Sequence, residues 1–474
     1  MDIAVVAGEA SGDRHAADLI AALRADPNLQ RALAPGEELR FWGIGGVSML
    51  QAGVRLVWDS REWGAIGVVE ALSKLHRVYP AKLAILRELR KSTPKAIILV
   101  DFGAFNIPLG EWVKKHTPCP VLYYMPPGSW RRGVSSAPGS QRKPGRLQRL
   151  ARMSDAIVTP FPWSERMLCD AGANAHFVGH PLLDLVKTST PQEVFDKQLG
   201  LDPAKTVITL LPGSRKHEVE HVLPAMFSAA GEIASRVPGA QFLVALAPNL
   251  SRSLVEEILE REQKRGGSAT ILRLMQEASG KIYRAASAAM TLPPVSAGPV
   301  LATSEGMLVD PGDVEEASKA KVRRARPGQV VNAPVALVEG RTYDTIARAD
   351  LVIVTSGTAT LEAAILNRPM IIVYRGSKIM ELEWALRKKA LDIKFFGMPN
   401  ILADRKICPE LIQDEASPSA IAEIAVEMLL QPDRLVKMKS DLRRTVADQL
   451  GEPGGNVRAA KIFVQQILKG DETN

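Results

Sequence analysis

The order of hydrophobic and polar positions predicts strands that alternate with helices along most of the chain. The first apolar run, residues 3–8, ends at a glycine-rich loop, and a helical pattern follows from Asp13 to Arg24. Further strand-like runs in this half span residues 95–101, 120–125 and 155–160. Near-continuous Val, Ile and Leu runs between helices are typical of parallel strands that are buried on both faces of a sheet.

The same alternation restarts after a polar stretch, which predicts a second domain. Its strand-like runs span residues 206–215, 240–248, 333–340, 350–357 and 369–375. Together the halves predict an α/β fold of two doubly wound, Rossmann-like domains that face a cleft. The predicted boundaries are a first domain at 1–185, a linker at 186–204, a second domain at 205–440 with an insertion at about 265–332, and C-terminal helices at 441–474 that cross back to the first domain. From about Pro409 onward the chain is predicted to be helical.

Composition narrows the class of protein. The 474 residues are 46% hydrophobic and 24% charged, which is ordinary for a globular protein, and no apolar run is long enough for a transmembrane helix. The N-terminus has no basic region of the kind that begins a signal peptide. Three widely spaced cysteines argue against a disulfide framework or a zinc knuckle, so a reducing cytoplasm is expected.

The net charge of +8 is concentrated in two places. Residues 131–153 carry only basic charges, and a second basic cluster lies at 319–326 within the expected insertion. These clusters are either ordinary solvated surface or sites for an anionic membrane surface or a phosphorylated substrate. Nucleic acid is the least favoured partner, because aromatic residues make up only 5% and no nucleic-acid-binding motif is present.

In the first half of the chain, the candidate functional residues lie in the loops that come after the predicted strands. The loop 8–13 combines glycines with a helix N-terminus, which suits close approach of a ligand, although an ordinary helix cap has the same composition. Asp101 ends a buried strand, where partial desolvation suits a general base, although it too could cap the next helix. The segment 126–132 places Trp130 beside two arginines, which suits lipid and phosphate as well as a plain surface loop.

In the second half, two strand-to-helix loops resemble phosphate nests. Arg215 follows a strand and begins a helix, and its planar fork suits a diphosphate. The loop 355–360 is the second nest, and Glu362 just beyond it suits ribose hydroxyls. Each loop alone could be a capped helix, but two in one domain favour a nucleoside diphosphate. His180 is ambiguous, since a lone histidine is more often structural, and no motif for a metal, a P-loop or an esterase appears.

These motifs, taken in order, are similar to those of lipid-A-disaccharide synthases. The similarity covers roughly residues 1–260 and 333–470. The segments that carry it are GEASGD (8–13), GIGG (43–46), GAIGVVEAL (64–72), VDFGAFN (100–106), FPWSE (161–165), VGHPLLD (178–184), LLPGSRKHEVE (210–220), SGTATLE (356–362), YR (374–375) and PNILADR (399–405).

The resemblance implies a fold of the glycosyltransferase B type and an inverting reaction that needs no metal or cofactor. UDP-2,3-diacylglucosamine and 2,3-diacylglucosamine 1-phosphate would give the β-1,6-linked lipid A disaccharide 1-phosphate and UDP. It also implies a cytoplasmic protein, peripheral on the inner face of the bacterial cytoplasmic membrane. The apolar segment 64–72, otherwise a core helix, and the basic residues would contact the anionic lipid. A homodimer is one of the oligomeric states left open.

The resemblance also implies roles for individual residues. Asp101 is the implied general base on the acceptor 6-hydroxyl, or the group that places it. Residues around UDP are Arg215, Ser356, Gly357, Thr358, Glu362 and Asn400. Residues that line the cleft on the acceptor side are Glu9, Ser11, Gly12, Asn106 and Arg132.

Three departures from the family pattern leave alternatives open. Ala104 stands where the family has a second acidic residue, the segment 126–132 differs from the family's tryptophan-rich sequence, and the insertion at 265–332 is not typical. The alternatives are a UDP-sugar glycosyltransferase with another lipid acceptor, a UDP-sugar epimerase of the same architecture, and an inactive lipid- or nucleotide-binding homologue.

Overall fold

A computed structural model describes residues 1–8, 10–60, 75–126, 145–247, 250–264, 335–376 and 394–469. The chain divides into two compact units. The first unit combines Met1–Val186 with Thr445–Asn474, and the second is Lys187–Arg444.

The first unit alternates strands with helices. Its elements up to the second unit are β1 (Asp2–Ala7), α1 (Ala10–Arg24), α2 (Pro27–Arg31), β2 (Arg40–Gly45), α3 (Val47–Gln51), β3 (Arg55–Asp59), α4 (Leu75–Lys91), β4 (Ala96–Val100), α5 (Gly103–His116), β5 (Val121–Tyr124), α6 (Arg146–Met153), β6 (Ala156–Thr159), α7 (Pro162–Asp170), β7 (Ala175–Phe177) and α8 (Leu182–Leu185). The strands pair in parallel in the order β3-β2-β1-β4-β5-β6-β7. The direction of winding therefore reverses between β1 and β4.

The second unit repeats this plan. Its elements, with the C-terminal helices that follow them, are α9 (Gln192–Leu199), β8 (Val207–Leu211), α10 (Lys216–Arg236), β9 (Gln241–Leu246), α11 (Arg252–Lys264), β10 (Val335–Glu339), α12 (Thr342–Arg348), β11 (Leu351–Thr355), α13 (Thr358–Ile365), β12 (Met370–Tyr374), α14 (Met398–Ala403), β13 (Glu410–Ile412), a 3-10 turn (Gln413–Glu415), α15 (Pro418–Leu429), α16 (Pro432–Leu450) and α17 (Gly455–Lys469). The parallel strand order is β10-β9-β8-β11-β12-β13, so the winding reverses between β8 and β11.

The core of the first unit lies on both faces of its sheet. One cluster packs α4, α5 and α6 against the strands, and the other packs α1 and α17 against the opposite face. Phe463 of α17 is fully buried there, with its ring 6.3 Å from that of Tyr124. The C-terminal helix is thus part of the first unit's core, although it follows the whole second unit in sequence. The predicted α/β fold of two doubly wound parallel sheets is confirmed.

Local boundaries differ from the predicted ones where short elements or distant contacts decide them. The strands β2 and β3 were not predicted, because glycines interrupt the apolar run of β2 and charged residues stand at both ends of β3. The segment after Pro409 is not wholly helical, since β13 adds a three-residue edge strand that is too short for a periodic signal. The expected linker contains α9, whose Phe195 is buried in the second unit's core beside Val207 and Leu243.

Candidate functional site

In the first unit, the reversal of winding brings together two loops that are distant in sequence. The loop after β1 and the loop after β4 lie at the carboxyl ends of neighbouring strands, where ligands bind in open α/β sheets. A Cβ on Gly8 would clash with the ring of Phe102, so only glycine permits this approach of the two loops. The segments that carry GEASGD and VDFGAFN therefore lie side by side at this edge of the sheet.

The helix after β1 begins earlier than predicted. It starts at Ala10 rather than Asp13, which places Ser11 and Gly12 in its first turn, with Ser11 exposed and Gly12 buried. Glu9 lies outside the described residues. Of the described acceptor-side residues in this loop, Ser11 is the one whose surface is open to a ligand.

Asp13 has a role that the sequence did not predict. Its carboxylate accepts hydrogen bonds from the backbone N–H groups of Gly46 at 2.6 Å, Ser48 at 2.8 Å and Met49 at 3.1 Å. It therefore caps the N-terminus of α3 rather than its own helix, and it fixes the loop after β2 to the loop after β1. The only signal in the sequence was the co-occurrence of GEASGD and GIGG.

Asp101 occupies an unusual backbone conformation. Its φ is +45° and that of Phe102 is +39°, so two successive residues with side chains adopt the left-handed region. The carbonyl of Asp101 accepts hydrogen bonds from the Tyr123 hydroxyl at 2.6 Å and from Asn106 Nδ2 at 3.0 Å. The N-cap position of α5 is occupied by Phe102, one residue after Asp101.

Asn106 is fully buried rather than open to a ligand. Its Nδ2 also donates to the Val100 carbonyl at 2.9 Å, so the amide joins the end of β4 to the first turn of α5. Its Oδ1 is buried without a hydrogen-bond partner among the described residues. Ala104 is exposed on the same turn.

His180 lies in a buried cluster of the first unit, with its ring 5.2 Å from that of Phe161. Its Nδ1 accepts a hydrogen bond from the N–H of Leu182. Burial and the nearby His15 lower the pKa of His180 to about 3. Burial and Arg14 lower the pKa of His15 to about 4. Both rings are therefore neutral near pH 7, and the contacts of His180 match those of a structural histidine.

In the second unit, the reversal of winding brings Arg215 beside the loop that follows β11. Arg215 is the N-cap of α10, and its Nη1 lies 3.0 Å from Oε1 of the mostly buried Glu218. The guanidinium is about half exposed, so an anion can reach it while Glu218 restrains it. Burial, followed by the charge of Glu218, raises the pKa of Tyr374, which ends β12.

The loop after β11 presents a helix N-terminus to the same edge of the sheet. Gly357 has a φ of +152°, which favours glycine, and nothing lies within 4 Å of where its Cβ would be. The N-cap of α13 is Gly357, which has no side chain of its own to cap the helix, and both Gly357 and Thr358 are exposed. Ser356 Oγ donates to the Phe396 carbonyl at 2.9 Å. An open helix N-terminus of this kind is a favourable anion site.

Asn400 was predicted to lie beside UDP, but the structure places it in the interior of the second unit. It is fully buried, and its amide makes four hydrogen bonds within the unit, so it has no surface to offer to a nucleotide. Its Nδ2 donates to Glu410 Oε1 at 2.8 Å, and that carboxylate also accepts from the N–H groups of Phe396 and Gly397. Asn400 therefore supports the segment that holds Ser356.

Glu362 lies on α13, one turn from its start, and is half-buried. Its Oε1 accepts a hydrogen bond from the Tyr343 hydroxyl at 3.3 Å.

Several predicted features lie outside the described residues, namely Arg132 with most of the segment 126–132, the segment 64–72 and the segment 265–332. Within the described ranges, no group of three or more His, Cys, Asp or Glu side chains is arranged to hold a metal ion. Among those same residues, no helix has the length and apolar character to span a bilayer.

The sequence matches a family model described as lipid-A-disaccharide synthetase over residues 3–292 and 314–467. The match includes most of the segment expected to be an atypical insertion and leaves out only residues 293–313 between its two parts. A lipid-A-disaccharide synthase from Syntrophus aciditrophicus is 32% identical over 473 residues, which is 99% of this chain and 98% of the relative. One from Myxococcus xanthus is 30% identical over 99% of this chain and 98% of the relative.

Solved structures with the same fold have far lower sequence identity. A UDP-GlcNAc 2-epimerase from Neisseria meningitidis bound to UDP-GlcNAc has a TM-score of 0.52 at 12% identity, with 99% of this chain and 100% of that chain covered. A complex of S. aureus MnaA with UDP has a TM-score of 0.50 at 10% identity, with 98% and 95% covered. At this identity, the likeness concerns the fold alone.

Proposed function

Because the chain belongs to the lipid-A-disaccharide synthase family and is a glycosyltransferase, we propose that it joins UDP-2,3-diacylglucosamine to 2,3-diacylglucosamine 1-phosphate. The products are the β-1,6-linked disaccharide 1-phosphate and UDP. The observation that carries the proposal is that, in each unit, the loops bearing the family's motifs meet where the winding of the sheet reverses.

The second unit binds the UDP part of the donor. Its support is the half-exposed Arg215 side chain and the exposed start of α13, which lie at the ends of the neighbouring strands β8 and β11. Ser356, Gly357 and Thr358 form the turn that presents this N-terminus, and Glu362 is the group for the ribose hydroxyls. Asn400 acts as a positioning residue through the segment that holds Ser356.

The first unit supplies the base. The acceptor 6-hydroxyl attacks the anomeric carbon of the donor, its proton passes to the Asp101 carboxylate, and the bond between that carbon and the diphosphate oxygen breaks with inversion. Negative charge builds on the leaving diphosphate, so Arg215 and the N–H groups of α13 stabilise the transition state more than the ground state. Ser11 belongs to the acceptor side of this site, together with Glu9, Gly12 and Arg132, while the buried Asn106 acts as a positioning residue through its hydrogen bond to the Asp101 carbonyl.

The proposed location of the reaction is the cytoplasmic face of the bacterial cytoplasmic membrane, into which the acyl chains of both substrates insert. Support comes from α4, on which Tyr79 is 60% exposed and Leu83 is 38% exposed beside the exposed Arg87 and Arg90. Aromatic and aliphatic groups next to cations suit an anionic interface. Sedimentation in detergent would measure whether the active protein is a homodimer.

The test is transfer between the two lipid substrates in detergent micelles that contain a metal chelator. Wild type is compared with Asp101→Ala, Asp101→Asn and Arg215→Ala, and with Lys216→Ala as a matched control. Lys216 is the next residue, is 72% exposed and is 3.9 Å from Glu220, so its loss removes a cation without touching Arg215. We expect the Asp101 and Arg215 variants to lose about 10²-fold or more in kcat/KM, and the control to lose little.

Other outcomes point to the alternatives. Turnover of the UDP-sugar without an acceptor would indicate an epimerase. UDP binding without transfer would indicate an inactive homologue, and transfer only to a different lipid would indicate another acceptor. Unchanged activity of Asp101→Ala would refute the role of that carboxylate while leaving UDP binding by the second unit intact.

A further inference from the structure

We infer that Tyr123 is a positioning residue for the transfer reaction, because its hydroxyl holds the backbone of Asp101 in the conformation that aims the carboxylate. The inference rests on the proposed role of Asp101. Tyr123 lies on β5, next to β4, where it pairs with Leu99. Its hydroxyl reaches past the end of β4 and donates to the Asp101 carbonyl at 2.6 Å.

The conformation at Asp101 needs such support. Asp101 and Phe102 both have positive φ values, and residues with a Cβ adopt the left-handed region only at an energetic cost. Such a pair persists only where surrounding contacts hold it. The Asp101 carbonyl, which belongs to the peptide between the two residues, is held by Tyr123 from β5 and by Asn106 from α5.

Tyr123 is well suited to this task. It is fully buried, so no water competes for its hydroxyl. Burial, together with the negative charge of Asp101, raises the pKa of Tyr123 well above its ordinary value, and the hydroxyl stays a donor throughout the working pH range. Without this donor, the carbonyl loses the hydrogen bond that ties it to β5, and the peptide is less restrained from rotating.

The next residue is a matched control. Tyr124 is also fully buried, and its hydroxyl also makes a 2.6 Å hydrogen bond, but its acceptor is Asn456 Oδ1. The two side chains lie in the separate clusters on opposite faces of the sheet. The same Tyr→Phe substitution at either position therefore removes one buried hydroxyl, and only one of them touches Asp101.

The experiment measures kcat, KM and the unfolding midpoint of the full chain for Tyr123→Phe, Tyr124→Phe, Asp101→Ala and the double variant Tyr123→Phe/Asp101→Ala. We expect Tyr123→Phe to lower kcat by about tenfold to 10²-fold with little change in the KM for UDP-diacylglucosamine. Tyr124→Phe should keep kcat within about twofold, the scale of a substitution remote from the reacting groups. In the Asp101→Ala background, the loss of the Tyr123 hydroxyl should cost nothing further, because Tyr123 acts through Asp101.

Three results would overturn the inference: unchanged kcat in Tyr123→Phe, equal losses in both Tyr→Phe variants, or a full additional loss in the double variant. If Tyr123→Phe does not fold, Asn106→Ser removes the other donor to the same carbonyl, and unchanged kcat there overturns the inference equally. Active Asp101→Ala would instead refute the proposed role of Asp101 itself.

Discussion

Acidification should destabilise the first unit selectively, because it holds two buried neutral histidines. The ordinary histidine pKa is 6.5, and the folded protein lowers it to about 4 in His15 and to about 3 in His180. At mildly acidic pH, the two histidine rings therefore bind protons in the unfolded chain but stay neutral in the folded unit. The stabilisation is fully present above pH 6.5 and is lost as the pH falls from there toward 4 and 3.

The size of the effect follows from the two pKa values. One pKa unit corresponds to roughly 1.4 kcal/mol, so each histidine lowers the free energy of unfolding by about 2 kcal/mol between pH 7 and pH 5. Both together lower it by about 4 kcal/mol, a large part of the stability of an ordinary domain. Asp18 nearby acts in the opposite direction, since burial raises its pKa and the folded state takes up that proton first.

Buried cysteines allow each unit to be followed separately in one molecule. Cys119 is buried in the first unit and Cys408 in the second, while Cys169 is exposed and serves as a reference for the reagent. Urea titrations at pH 7, 6 and 5 would be pulsed with dithiodipyridine, which reacts with thiols in acid, and the labelled peptides would be counted by mass spectrometry.

We expect the urea midpoint reported by Cys119 to fall steeply between pH 7 and pH 5, and that of Cys408 to fall much less. If the free energy of unfolding reported by Cys119 fell by less than about 1 kcal/mol, the reasoning would be refuted, because the buried rings would then take up protons without unfolding. Equal losses at both cysteines would show that the effect is not local to His15 and His180.

Three further substitutions test individual contacts. Arg348→Met should destabilise the second unit by about 3–5 kcal/mol in urea unfolding, since it leaves the buried Asp196 carboxylate, 2.6 Å from Arg348 Nε, without its partner. Gly8→Ala should lower transferase kcat by about 10²-fold, because the added Cβ pushes the ring of Phe102 away from the loop; normal kcat would contradict this. Gly357→Ala should weaken UDP binding in calorimetry through backbone strain of about 1–3 kcal/mol, with no steric clash, so unchanged affinity would show that the loop relaxes.

Much of the site could be read from the chain because the relevant signals are local. Apolar runs between helices report burial on both faces of a sheet, and they located the central strands of both units. Ligands bind at the loops that follow such strands, so the sequence alone proposed Arg215, Asp101 and the turn at 356–358 as candidates, and the structure places all three after the ends of strands. Short or edge elements such as β13 give no periodic signal, and they were missed for that reason.

Roles that depend on distant partners required the tertiary structure. Asp13 resembles an ordinary helix cap in the sequence, yet it caps α3, more than thirty residues away. Asn400 resembles a ligand contact, yet its four hydrogen bonds with the segment 407–410 bury it. Tyr123 was only one apolar position in a strand until the strand order placed β5 beside β4.

By itself, the sequence determined the central strands of both units, the helices between them and the loops that carry charged or glycine-rich turns, since these depend on residues a few positions apart. Only the tertiary structure decided which loops meet, because that depends on strand order and on where the winding of each sheet reverses. The same strand order decides whether a polar side chain such as Asn106 ends in solvent or in the core, since burial is a property of the neighbours that packing brings to it.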